Sequence, residues 1–352
     1  MALELSNPNR NFITAGLRRA LHRFVLVVAA LTLCAGVPAE HAVAAPLAAG
    51  VSASVAPGQK PHSVAVGFYL TRISEISQKD GTFDFDGWFW FRWKGDGPDP
   101  TKTFELVNGR IESAVPTEVQ EDQGFHYAQL RVHAKIFHVF DVRQYPLDDH
   151  VLPIIVEDST RQSAFLQLEP DQGSGIDPSV ALEGWSVAFD GAKVNEHRYQ
   201  TNYGFRTLGD KGSDFSRLTF FVTLARQSSF LSLLKLFWVT ALALLLSIGA
   251  FFVHSSDLDA RFGLALGAIF AACANTLSLS ADLPDTPILT LAEQIDMLTV
   301  LAIFLTIFIS IFSLRLRYAG RPHSAERLDH TSAVVVAVGY LAALALILFF
   351  RL

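Results

Sequence analysis

Four long apolar stretches crowd the last third of this chain, at Phe230 to Val253, Phe262 to Leu279, Ile288 to Leu314 and Ser332 to Phe350. Each is long enough to cross a hydrocarbon layer as a helix, for which about 20 residues suffice, the second only just. In lipid every backbone amide must be satisfied within the protein, and an uninterrupted apolar stretch of this length does so as a helix. The composition agrees: half of the 352 residues are hydrophobic and only 18% are charged. The net charge of -6 includes no basic block alternating with aromatic residues, so nucleic acid is not an expected partner.

The remainder divides in two. Arg18, Arg19 and Arg23 precede an apolar run from Phe24 to Ala35 and a small-residue stretch containing Ala42-Val43-Ala44. That is the layout of an export signal, with cleavage after Ala44 or, alternatively, Ala39. The run is about half of the ~20 residues a spanning helix takes, which weighs against an anchor. The expected division is therefore residues 1–44 as signal peptide, 45–228 as an exported domain and 229–352 as a membrane domain.

From Pro46 to Gln227 short alternating or β-branched runs are separated by Gly, Pro, Asp and Asn. Strands are predicted at Ser63 to Ile76, Gly87 to Lys94, His126 to Phe140, His150 to Glu157, Gly184 to Asn195 and Phe215 to Ala225. Turns are predicted at Lys79-Asp80-Gly81, Gly95-Asp96-Gly97-Pro98 and Gly209-Asp210-Lys211-Gly212. Many short strands without amphipathic helices between them predict an antiparallel, immunoglobulin-like β-sandwich. Cys34 and Cys273 both sit in apolar runs, so no disulfide framework or cysteine metal site is expected and the core must hold the domain. Arg315, Arg317, Arg321 and Arg327 lie between the third and fourth apolar stretches, whereas the connection around Asp282 and Asp285 has no Lys or Arg. The positive-inside rule puts the Arg-rich side in the cytoplasm, and so the sandwich outside it.

The second stretch is a poor lipid-facing helix, for it carries Arg261, Asn275, Thr276, Ser278 and Ser280 among its glycines. At helical spacing Asp259, Gly263, Gly267, Phe270, Ala274, Leu277 and Ala281 share one face. Five copies around an axis would make that face the lining of a pore. A ring of Asp259 carboxylates would concentrate cations there, and a ring of Phe270 could close the path by dewetting. Arg261 falls about 200° around the helix from Asp259; turned inward it would weaken or reverse that preference. The alternative takes Gly263 and Gly267 as a close helix contact and Phe270 as ordinary core.

Several motifs resemble the pentameric ligand-gated channels, or Cys-loop receptors, and especially their prokaryotic members. Trp88 and Trp93, within Asp86-Gly87-Trp88-Phe89-Trp90-Phe91-Arg92-Trp93-Lys94-Gly95-Asp96, resemble that family's second strand. Phe140-Asp141-Val142-Arg143-Gln144-Tyr145-Pro146-Leu147-Asp148 is similar to its signature loop. Asp214-Phe215-Ser216-Arg217-Leu218 with Arg226 resembles the last strand entering the first helix. Asp259-Ala260-Arg261 and Leu283-Pro284-Asp285-Thr286-Pro287 resemble the start of the pore helix and the loop after it. The family's disulfide is absent, as in its prokaryotic members, no proline interrupts Phe230 to Val253, and glycines replace the usual hydroxyl residues on the pore face.

The resemblance implies a homopentamer of identical subunits in a bacterial inner membrane, with the sandwich in the periplasm, no cofactor and no metal. It implies an agonist, a proton or a small molecule, bound between adjacent sandwiches. The hairpin of one subunit would offer Tyr203 and Phe205, and a strand of the next Trp88; aromatic walls suit an amine through cation-π attraction. Gating contacts are expected at Tyr145, Pro146, Asp148 and Arg226, with Pro284 and Pro287, including an Asp148 to Arg226 ion pair. Monovalent cations are the expected permeant ions. His126, His133, His138 and His197, with the many carboxylates, are candidates for proton sensing, since imidazole titrates near neutral pH. Two readings compete. An anchored enzyme would use His126, His133, His138 and His150 with Asp148 and Asp149, but His133 and His138 differ by an odd number and point to opposite strand faces. A non-conducting sensor or scaffold with the same fold is the other alternative.

Overall fold

The computed structural model describes residues 61–95, 97, 99–201, 203, 212–227, 229–254 and 256–351. The expected signal peptide, both cleavage positions, Phe205 and most of the turn at 209–212 lie outside them. The strands run β1 (His62–Ser77), β2 (Thr82–Trp93), β3 (Phe104–Leu106), β4 (Gly109–Pro116), β5 (Gln120–Asp122), β6 (Phe125–Phe137), β7 (His150–Asp158), β8 (Leu166–Pro170), β9 (Gly175–Ile176), β10 (Trp185–Tyr199) and β11 (Ser213–Arg226). Four helices follow: α1 (Ser229–Gly249), α2 (Leu258–Asp282), α3 (Leu291–Tyr318) and α4 (Pro322–Arg351).

One sheet, here sheet A, has the order β4-β6-β2-β1-β8, with β5 on β6 and β9 on β1; sheet B has the order β10-β11-β7-β3. Strict alternation along β2 buries Phe83, Phe85, Phe89, Phe91 and Trp93 while Trp88, Trp90 and Arg92 stay on the other face. In β1 the buried positions are Val64, Val66, Phe68 and Leu70, then a bulge between Leu70 and Arg72 shifts the pattern to Ile73. Phe68 bridges the layers, its ring 4.9 Å from Phe89 and 5.3 Å from Phe220 of sheet B. Each such phenyl buried contributes about 1.5–3 kcal/mol, so the aromatic cluster does for this domain what disulfides do for small exported folds. Gly67 lies under the Trp90 indole, where a Cβ would come within 1.9 Å of the ring.

The sandwich is not wholly antiparallel. β8 and β9 pair with β1 in parallel, because the chain leaves sheet B after β7 and joins the edge of sheet A in the direction of β1. Strands of five and two residues are too short to show alternation, and β3, β4 and β5 were invisible for the same reason or because β4 is largely exposed.

The four helices are the four apolar stretches, each long and apolar enough to cross a membrane. The segment between the last two is shorter than the sequence suggested. Arg315 and Arg317 occupy the last turn of α3, Arg321 stands in the turn with Gly320 at φ +76°, and Arg327 lies within α4, which Pro322 opens ten residues earlier than its apolar run. α3 begins on a capping box: Thr290 Oγ1 accepts from the Glu293 amide at 3.1 Å and Glu293 accepts from the Thr290 amide at 2.8 Å. The fold is thus a β-sandwich joined to a four-helix membrane bundle, and one buried cluster continues from the sandwich core to Leu279, Leu283 and Ala292 at the top of the bundle.

Candidate pore and gating interface

The loop from His138 to Asp149 drops from the sandwich onto the helices. Its Tyr145-Pro146 bond is cis. The Arg143 and Tyr145 carbonyls accept from the amides of Leu291 and Ala292 at 3.0 and 3.1 Å, satisfying donors that the start of α3 would otherwise leave open. Leu147 packs among Leu291, Ile295, Leu298, Ala343 and Ile347, so the loop tip is a plug in the bundle. On the other side Lys79, in the β1–β2 turn, donates to the carbonyl of Ala281 at the end of α2 at 3.1 Å.

Arg226, the last residue of β11, points its Nε at Asp148 Oδ1 from 3.0 Å, with the Asp148 side chain only 2% exposed. Its guanidinium lies 4.3 Å above the Trp185 ring and 5.1 Å from that of Tyr145. The other Asp148 oxygen meets Gln78 Nε2 and His150 Nε2, each at 2.6 Å. Burial alone would push the Asp148 carboxyl up; the hydrogen bond from His150 and the Arg226 charge outweigh it and hold the group below the ordinary carboxylate range. The family resemblance named Tyr145, Asp148 and Arg226 for this spot but not Gln78, His150 or Trp185, which reach it from three other strands or turns. Pro284 lies half-buried beside buried Leu283, and Pro287 is exposed.

Along α2, Arg261, Ala265, Ala268, Ala272 and Leu279 are buried against the rest of the chain. Asp259, Gly263, Gly267, Phe270, Ala274, Leu277 and Ala281 are all exposed, Phe270 at 66% and Leu277 at 74%. Arg261 turns away from that face. It pairs with Asp329 of α4, both 4% exposed, and donates to the Val253 carbonyl at 2.8 Å. Two further polar contacts hold the back of α2: Asn275 Nδ2 donates to Asp296 of α3 at 3.1 Å, and Thr276 Oγ1 donates to the same carboxylate. Asp296 and Asp329 escaped notice in the sequence, although an acid inside an apolar stretch is itself a signal.

No family model matches the chain. Among curated proteins it is similar to a proton-gated ion channel of Gloeobacter violaceus, 23% identical over 307 residues, which are 81% of this chain and 82% of that one. The shared span takes in both sandwich and bundle, in the order already described. The chain is a relative of the pentameric ligand-gated ion channels.

In this channel relative the aromatic residues expected around an agonist are not brought together within one chain. Trp88 is on the outer face of sheet A, half-buried, with Arg131 6.0 Å from its ring. Tyr203 is exposed beyond β10 on sheet B, its ring 5.9 Å from Tyr199. Below that ring Tyr199 donates to buried Glu157 at 2.9 Å, and Arg217 Nε donates to the same carboxylate at 2.5 Å. Burial first, then Glu157, pushes the Tyr199 phenol up to about 12. Glu157 and Tyr199 were not singled out by the sequence, because a carboxylate in a β-rich run reads as an ordinary solvent-facing position, and Arg217 entered only within the last-strand motif. The histidines are dispersed: His126 stacks near Trp93, His133 lies 3.3 Å from Asp86 and 3.1 Å from Glu112, and His197 abuts Tyr199. His138 is pushed down from the usual imidazole value by burial and by the nearby His150.

Proposed function

We propose that this chain is one subunit of a homopentameric, cation-selective channel of a bacterial inner membrane, with its sandwich in the periplasm, opened by protons or a small ligand bound between sandwiches. The observation that carries the reading is the division of α2: one side holds Arg261 and the alanines against the bundle, and the side chains of the opposite side, from Asp259 to Ala281, are exposed. A helix rich in glycine and hydroxyl residues gains little from facing acyl chains, whereas five such faces around an axis would enclose water. Asp259 stands at the cytoplasmic mouth as the charge that draws cations, and Phe270 and Leu277 form apolar rings that close by dewetting. With Arg261 spent on Asp329, the opposing charge is removed from the pore face.

Agonist binding would occur beneath the β10–β11 hairpin, which brings Tyr203 and Phe205 to Trp88 of the next subunit. The signal would pass through Arg226 and Asp148 to Tyr145, Pro146 and the loop from Pro284 to Pro287. The chain then catalyses no reaction and needs no cofactor or metal. Its name makes the Gloeobacter relative a proton-gated channel, which favours the proton over an amine as agonist.

Purified protein in planar bilayers, stepped from neutral to acidic pH and challenged with a panel of amines, tests this directly. Discrete current steps are expected, with a reversal potential that follows the cation gradient in the wild type and follows it less closely in Asp259→Asn. Silence at every pH and ligand would leave the non-conducting scaffold instead.

A further inference from the structure

A row of charge crosses the outer face of sheet B. β3 pairs with β7 so that Glu105 lies directly opposite Glu157. Phe104 and Leu106 on either side of Glu105 face inward, Phe104 with its ring 5.0 Å from Phe89, so Glu105 shares the outer face with Glu157. Like charges opposite one another on a sheet oppose pairing unless a cation intervenes.

The cations present are committed elsewhere. From β11, Arg217 is held by Glu157, which also accepts from the Tyr199 hydroxyl of β10. Asp158, next along β7, accepts from Arg161 Nη2 and from the Thr103 hydroxyl, each at 2.5 Å, and from the Thr160 amide at 3.0 Å. On the side of β3 itself, Lys102 is 3.8 Å from Asp99. Further along β10, Glu196 is bound by the Ser163 hydroxyl, and Arg198 is 3.8 Å from Asp214 of β11. Glu105 has no hydrogen bond or ion pair among the described residues and is half-buried, open enough to exchange a proton with water.

We propose that Glu105 is a binding site for the activating proton: the third carboxylate of a cluster whose two guanidinium groups already serve Glu157 and Asp158. This rests on the proton-gated reading above and names the group within it. A proton on Glu105 removes the repulsion across the β3–β7 pair and supplies a donor for a Glu157 oxygen, which draws the edge strand onto sheet B. Burial, with Glu157 and Asp158 adding to it, raises the affinity of Glu105 for its proton in this arrangement. The sign follows: at neutral pH the ionised group weakens the β3–β7 edge, and the penalty is lifted as pH falls through the raised value, above the ordinary ~4.3 of a glutamate. Acid therefore favours the paired edge, and with it the seat of Tyr199 on Glu157 at the end of β10.

The full-length channel in planar bilayers, recorded across a pH series, tests the proposal when combined with infrared difference spectra of the same preparation. Glu105→Gln is expected to shift the half-activating proton concentration by about threefold or more, and Glu105→Asp to keep a proton response near that of the wild type. The spectra are expected to contain a carboxylic-acid band that grows as the pH is lowered from neutral and is missing in Glu105→Gln. A proton-activated wild type whose half-activation is unmoved by Glu105→Gln overturns the proposal and leaves the channel reading intact. A wild type silent to acid with the band present overturns proton gating while Glu105 remains a proton site. An absent band overturns the site itself.

Discussion

The sandwich and the helical bundle are held together by different means. In the sandwich, Phe68, Phe83, Phe85, Phe89, Phe91 and Phe220 are all buried to within 1% of completely, and they join in one continuous cluster. In the bundle the apolar clusters are small, and the helices are pinned by polar contacts: Arg261 to Asp329, Asn275 and Thr276 to Asp296, Thr299 to Tyr340 and Ser247 to Thr306. The first is how water drives a fold, by removing apolar area from contact with it. The second is what works where lipid removes that drive and packing and hydrogen bonds must serve. The sandwich closes its aromatic core within one copy, whereas the bundle leaves a whole side of its second helix exposed.

Substitutions can break this contrast. The largest effect is expected from Phe220→Ala, which opens a cavity at the contact of the two sheets and should cost about 4 kcal/mol of sandwich stability. Thermal unfolding followed by tryptophan fluorescence would read it, and a loss as small as that of a surface substitution would mean the aromatic cluster is not the core. Next, Arg261→Ala leaves Asp329 buried without its cation and should cost about 3 kcal/mol, with most of it recovered in Arg261→Met with Asp329→Leu. Thermal aggregation in detergent distinguishes the cases; a double substitution as damaging as the single one would contradict a polar pin replaceable by packing.

The joint between the two regions sharpens the comparison, since it uses charge where the sandwich uses phenyl rings. Asp148→Asn should cost about 2 kcal/mol through loss of charge-assisted bonds to Arg226 and His150. Because the Asp148 carboxyl is held below its ordinary range, its contribution is present in full above the unfolded value of ~3.9 and disappears only as pH falls through the lower folded value. The Asp148 carboxylate is therefore expected to stay ionised from pH 8 to ~5, and in a His150→Gln background a double-mutant cycle between Asp148 and Arg226 should return the same coupling at both ends. A coupling that vanishes on mild acidification would assign the proton response to the joint. Smallest, Thr290→Ala removes the cap of α3 and should cost about 1 kcal/mol, measurable as a small drop in melting temperature of the bundle.

How much was legible beforehand follows the same contrast. The long strands β1, β2, β6, β7, β10 and β11 and the four helices announced themselves, because alternation and apolar length are properties of single segments. β8 and β9 did not, since their parallel seats beside β1 are decided by a crossover between sheets. Likewise the exposed side of α2 could be drawn from helical spacing, but the fate of Arg261 could not, because its partner Asp329 lies 68 residues away on α4. The Asp148–Arg226 contact was anticipated through a resemblance, whereas Gln78 and His150 around it needed the fold to bring them in.

The central claim is that the uncovered side of α2 faces water along an ion path. Cysteines placed one at a time at Gly263, Phe270, Ala274 and Leu277, and for comparison at Ala265, Ala268 and Ala272, in a background with Cys273→Ala, test it most directly. A charged thiol reagent applied to open channels in a bilayer should alter the current at the first group and leave the second untouched. Modification confined to the second group, or currents insensitive at every position, would contradict the account.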